Sequence, residues 1–138
     1  MSESAIPHDV EELLRDVVHS FEELEVLLLL HREARRARTA AAIAVELHLE
    51  LPAVSTALLE LARQGLLAQE EAAFRYAART AGLASAVDHL AVVYSKDRMQ
   101  VVLVLSRNAM SRIQHSTLKA FSDAFRLGSG GKKGNKDG

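Results

Sequence analysis

Five of the seven glycines fall in the last eleven residues, Gly128 to Gly138, and the preceding 127 residues hold only Gly65 and Gly82. Proline is as sparse, at Pro7 and Pro52 alone. These two residues are the strong helix breakers, worth about 1 and 3 kcal/mol against alanine in a helix interior. A body nearly free of both, and dominated by alanine and leucine, is expected to be mostly helical, with its few breakers acting as punctuation. The 138 residues suffice for one domain with its own core. We therefore expect a single domain over residues 1–127 and a flexible basic tail over 128–138, which carries three of the five lysines.

The punctuation predicts the elements. Pro7 opens a short helix running to about Val18. Ser20-Phe21-Glu22-Glu23 has the form of a capping box, in which the serine accepts from the Glu23 amide and the Glu23 side chain reaches back. The helix it starts carries Leu24, Leu27, Leu28 and His31 at helical spacing and ends in the basic stretch His31 to Arg38. Thr39 caps a second helix, Ala40 to about Leu47. Pro52 opens a third, which runs to Gln64 with Gly65 as the left-handed stop. Leu66-Leu67-Ala68 and Ala73 to Ala77 read as two short strands around the turn Gln69 to Ala72. Beyond Gly82 a further helix is expected, interrupted at Ser95 to Arg98. Residues 99–105 fit either strand or helix, with helix favoured by their place at the end of a helical stripe. A last helix runs from His115 to Leu127, with Leu118, Phe121 and Phe125 on one face and Gly128 as its stop.

The stretch Thr39 to Leu67 carries the most information. Ile43, Ala44 and Leu47 form the inner face of one helix, and Val54, Leu58 and Leu61 that of the next. The small Ala44 lets the two cross closely, and Gly65 swings the chain into a hairpin. With the preceding helix, the order is helix, helix, helix, strand, strand, helix. This pattern, Ile43-Ala44, Leu47, Val54, Leu58, Leu61 and Gly65-Leu66-Leu67, resembles the winged helix-turn-helix domains of bacterial transcriptional regulators, the MarR-type regulators in particular. The resemblance covers about residues 20–80. It implies an α+β, mostly α fold: a winged core at 20–80, an additional N-terminal helix and a C-terminal helical extension over 82–127.

The resemblance further implies double-stranded DNA as partner, with the third helix in the major groove and the hairpin on the adjacent backbone. With Leu58 as the buried centre, the outward positions are Pro52, Ala53, Thr56, Glu60 and Arg63, flanked by Ser55 and Gln64. Thr56 and Arg63 are then the candidate base readers, assisted by Ser55 and Gln64. Arg36, Arg38, Thr39 and Arg75 are the candidate phosphate contacts. Three features depart from a DNA-binding pattern: Glu60 on the reading face, Glu70 and Glu71 at the hairpin, and a net charge of −1 over residues 32–71. The arginine cluster also reads as a solvated helix end paired with the acidic N-terminal segment. An alternative function is thus a winged-helix module that docks on a regulatory or signalling protein through its third helix.

Charge is unevenly placed along the chain. Residues 1–31 hold eight acids and one base, and residues 72–138 hold four acids and eleven bases, although the net charge is only −1. Such asymmetry suggests that the ends meet each other or different partners. Leu83, Val87, Leu90 and Tyr94 recur at coiled-coil-like spacing and are the candidate homodimer seam; the same stripe also suits packing on the chain's own first helix.

Enzymatic chemistry is not expected. The chain has no cysteine, which excludes thiol nucleophiles, thiolate metal sites and disulfides. No two of the six histidines are three or four residues apart, so no metal site is expected. No glycine-rich phosphate loop or nucleophile elbow occurs in the body, and no cofactor is expected. Apolar runs such as Val26–Leu30 fall far short of the about 20 residues a bilayer needs, and no signal-type segment is present. The expected location is the cytoplasm.

Overall fold

A computed structural model describes residues 6–137, with side chains described as far as Phe125. The fold is α+β and mostly helical. Its elements are α1 (His8–Asp16), α2 (Phe21–Arg32), β1 (Arg38–Thr39), α3 (Ala40–Leu47), α4 (Leu51–Arg63), β2 (Leu67–Glu70), β3 (Ala73–Tyr76), α5 (Ala81–Lys96) and α6 (Arg98–Asp137).

Helix α2 lies at the centre. Leu24 and Val26 through Leu30 are all buried, which is the pattern of a helix covered on every side. On one side α4 and β3 pack against it. On the other, α2 meets α5 through Tyr94 Oη, which donates to Glu25 Oε2 at 2.6 Å, and through His31 Nε2, 2.8 Å from Asp88 Oδ1. Helices α1, α5 and α6 pack on one another beyond that face.

The expected caps hold the helix starts. Ser20 Oγ accepts from Glu23 N at 3.1 Å and Thr39 Oγ1 from Ala42 N at 3.2 Å. Glu23 reaches back one residue further than a capping box requires, accepting from His19 N at 2.8 Å. Thr80, not singled out from the sequence, caps α5 by accepting from Leu83 N at 3.1 Å. Each such cap is worth about 1 kcal/mol.

Gly65 ends α4 with φ +87°, and Leu66 N donates back to Leu61 O at 3.0 Å. The chain then enters the hairpin β2–β3. Glu70 pairs with Ala73, so the turn is the two residues Glu71-Ala72, tighter than expected, with Glu71 at φ 58°. A third strand was not foreseen. The two residues of β1 pair with β3, Arg38 opposite Phe74 and Thr39 opposite Ala73, giving an antiparallel sheet of order β1-β3-β2.

The C-terminal half departs most from expectation. Residues 99–105 are helical, and they belong to the same helix as His115 to Leu127 rather than to a separate one. This α6 is 40 residues long, about 60 Å at 1.5 Å per residue. Its backbone passes the expected stop at Gly128 and takes in residues 128–137, where the sequence predicts a flexible tail. Glycine ends a helix where it turns left-handed, as Gly65 does; otherwise it only lowers helix propensity. Asp97 separates α5 from α6, and its Oδ1 accepts from Gln100 N at 3.2 Å.

Candidate nucleic-acid interface

Helices α3 and α4 are joined by the three residues His48-Leu49-Glu50, and the chain direction turns by 118° between them. His48 makes the turn in the left-handed conformation, φ 57°, and Leu49 N donates to Ala44 O at 3.0 Å. Ile43 and Ala44 face inward from α3; Val54, Ala57, Leu58 and Leu61 face inward from α4. The opposite side of α4 is open to solvent, with β2–β3 beside its C-terminal end.

The exposed stripe of α4 is Leu51, Pro52, Thr56, Leu59 and Arg63. Thr56 and Arg63 stand where expected. Ala53 and Glu60 do not: both are half-buried, Ala53 beside Ser20, Glu22 and Glu23 at the N-terminal end of α2. The buried centre of α4 lies between Val54 and Leu61, about 50° round the helix from Leu58, because Ala57 is buried as well. Two leucines therefore replace an alanine and a glutamate on the open face. Val45 of α3, 76% exposed, adds to that apolar character and was missed in the sequence.

Most of the candidate cations carry a carboxylate partner. Arg63 donates to Glu60 through Nη2 at 2.6 Å and Nε at 3.1 Å, and Gln64 Nε2 donates to the same carboxylate at 3.0 Å. These bonds hold the Glu60 carboxyl below its usual range and raise Arg63. Arg75 pairs with Glu70 at 2.8 Å across the hairpin. Arg38 is enclosed: Nη1 donates to Glu33 Oε1 at 2.6 Å and Nη2 to Glu46 Oε1 at 2.7 Å, with only 11% of its side chain exposed.

These environments sort the candidates. An exposed ion pair is worth at most about 1 kcal/mol, so Arg63, 70% exposed, can exchange Glu60 for a phosphate or base at little cost. Arg38 cannot, because leaving would strand two carboxylates beside each other. It ties the end of α2 to α3, which makes it the least available of the candidate phosphate contacts. Arg36 is exposed in the turn before β1, and no ion pair to it is formed among the described residues. Thr39 spends its hydroxyl on the α3 cap, leaving its exposed surface for contact. Ser55 is half-buried on the flank of α4. The structure thus brings Ser55, Thr56, Arg63 and Gln64 together on one helix, with Arg36 and Thr39 at the start of α3 and Arg75 on the hairpin.

The candidate dimer seam has a different fate. Val87 and Leu90 are fully buried within the single chain, covered by α1, and Leu83 and Tyr94 are half-buried beside them. They build the core and leave little surface for a second copy, so the seam expectation is corrected in favour of packing on the first helix.

Among the described residues no cluster of histidine and carboxylate side chains has the geometry of a metal site. Nor is any single helix long and apolar enough to cross a membrane. No protein-family model, curated protein or solved structure gives a significant match to this chain.

Proposed function

We propose that the chain is a winged helix-turn-helix protein that binds double-stranded DNA and regulates transcription. The observation that carries this is the arrangement of residues 21–76. A two-residue strand precedes α3, two helices turn 118° through three residues, and a hairpin closes the sheet in the order β1-β3-β2. Helix-turn-helix units join their helices at about 90–120° through a short turn, and the second helix enters the major groove. Here that helix is α4, with Thr56 and Arg63 outward. The hairpin beside it reaches the flanking backbone through Arg75, and the start of α3 offers Arg36, Thr39 and a helix N-terminus to phosphate. No reaction is assigned to the chain.

The test is fluorescence anisotropy on a generic duplex and on the gene's own upstream region, at about 50 and 200 mM salt. Affinity that falls by orders of magnitude with salt, and prefers the upstream duplex, is the expected result. Absence of binding at the lower salt overturns the proposal.

A second reading is favoured by a specific observation: the exposed apolar set Val45, Leu51 and Leu59 beside carboxylate-paired arginines. In that reading the α3–α4 face docks on a regulatory or signalling protein. Leu59→Asp then abolishes partner capture while leaving the fold intact, whereas a DNA reader loses affinity through Arg63→Ala.

A further inference from the structure

Helix α6 turns one face to the body, and the chemistry of that face changes along its length. Val101, Leu105, Asn108, Arg112 and His115 follow one another at steps of four, three, four and three, so they share one side of the helix. Val101 and Leu105 are buried, as a face packed on a body requires. From Asn108 onward the same row carries an amide, a guanidinium and an imidazole, where the pattern calls for apolar side chains. Asn108 Nδ2 donates to Leu14 O at 3.3 Å and Arg112 Nη2 to His19 O at 2.9 Å. Both side chains are thereby fixed against α1 and the residues that follow it.

Between this part of α6 and α1 the surface opens into a pocket of about 440 Å³, lined by Arg15, Asn108, Ser111, Arg112, His115 and Ser116. No carboxylate is in that lining. Residues 1–31 hold eight acids and a single base, and that base is Arg15. Arg112 and His115 form no ion pair among the described residues. Arg112 acts at a distance on Glu23, but that carboxylate takes its hydrogen bond from His19 N. Arg15 is bound to Asp16 through Nε at 3.1 Å and Nη2 at 3.2 Å, with both side chains exposed. Such a surface pair is weak, and Nη1 lies outside it. Donors thus converge from two helices without an anion to receive them.

We infer that the α1–α6 pocket binds a small phosphorylated metabolite, with Arg112 anchoring the phosphate and Arg15, His115, Ser111 and Ser116 as further donors. Guanidinium forks match phosphate oxygens in pairs. A phosphate offers three strong acceptor oxygens, enough to engage both helices at once. The pocket falls within the about 300–1,000 Å³ of small-molecule sites, which leaves room for the group that carries the phosphate. None of its residues belongs to α3, α4 or the hairpin, so the site stands whether or not α4 binds DNA.

The probes are inorganic phosphate, glycerol 3-phosphate and succinate, titrated at constant ionic strength while the backbone amide signals are followed by NMR. Both phosphates are expected to shift the signals of Arg15, Arg112 and His115 saturably, the ester at least as tightly as the free ion and succinate about tenfold more weakly. Arg112→Gln, which keeps a donor for His19 O, and Arg15→Gln are each expected to weaken binding about tenfold, with unchanged melting temperatures showing that they fold. Arg36→Gln, at the start of α3, is expected to change nothing. Absence of a saturable shift at about 20 mM phosphate overturns the assignment. So does binding that survives both variants, or that is lost with Arg36→Gln instead. Equal affinity for succinate removes phosphate as the ligand group, and exclusion of the ester removes the metabolite.

Discussion

Arg63, on the exposed side of α4, is held by the half-buried Glu60 through two hydrogen bonds at 2.6 and 3.1 Å. Under the proposed function the pair sets how strongly α4 attracts DNA, because the carboxylate offsets Arg63, the one cation on the exposed stripe of that helix. Replacing Glu60 by glutamine frees Arg63 and removes one like charge from the phosphate field. Duplex affinity is expected to rise about tenfold near 50 mM salt, and Arg63→Ala to lower it with a salt slope reduced by about one. Anisotropy titrations of both variants decide this; equal affinities would remove α4 from the interface.

Arg38 makes the opposite prediction. Arg38→Met leaves Glu33 and Glu46 together without their shared cation. The cost is expected at about 1–2 kcal/mol, between an exposed pair and a buried one. Thermal melting should show the loss, while the salt slope for DNA stays unchanged. The Glu46 carboxyl is held below its usual range chiefly by its hydrogen bond from Arg38. A lowered native value means stability that is present above the unfolded value of 4.5 and is lost as pH falls through the native one. Acid melting of the wild type should therefore be steeper than that of Arg38→Met.

Glu23 carries the reverse sign. Burial pushes its carboxyl above 4.5, against the hydrogen bond from His19 N that favours the charged form. A raised native value gives stability that is complete below the unfolded value and declines as pH rises through the native one. Glu23→Gln keeps the acceptor for His19 N and removes the charge. Melting temperatures from pH 4 upward should decline less for the variant, which should equal or exceed the wild type at pH 7. A less stable variant across that range would show that the carboxylate itself is needed.

The Tyr94 hydroxyl is pushed up to about 12 by burial and by its bond to Glu25, and burial raises Tyr76 as well. With no tryptophan in the chain, absorbance near 295 nm reports these two phenols alone. Little ionisation should appear at the ordinary pH near 10 until the protein unfolds. The Tyr94 contribution to stability is present below about 10 and is lost as pH rises through about 12. Tyr94→Phe is expected to cost about 1 kcal/mol at neutral pH through the lost hydrogen bond.

Much of residues 20–76 was legible because each boundary has a local chemical cause. Ser20, Thr39 and Gly65 mark their own positions through caps and a left-handed turn. Strand β1 was not legible, since two residues carry no alternation and their pairing with β3 depends on the fold. The face of α4 was read partly wrongly because a wheel centred on Leu58 ignores Ala57, a small residue whose burial rotates the outward stripe to Leu59. The stripe Leu83, Val87, Leu90 and Tyr94 was correctly seen as apolar. Periodicity says which side of a helix avoids water, but not whether the cover is α1 of the same chain or another copy.

Thr39 holds two structures at once. Its backbone pairs with Ala73 in the sheet, and its hydroxyl caps the first turn of α3. A ligand that pries the hairpin outward therefore pulls on the residue that starts the next helix. The hairpin and α3 are thus joined through one residue, so a contact that displaces either one strains the other.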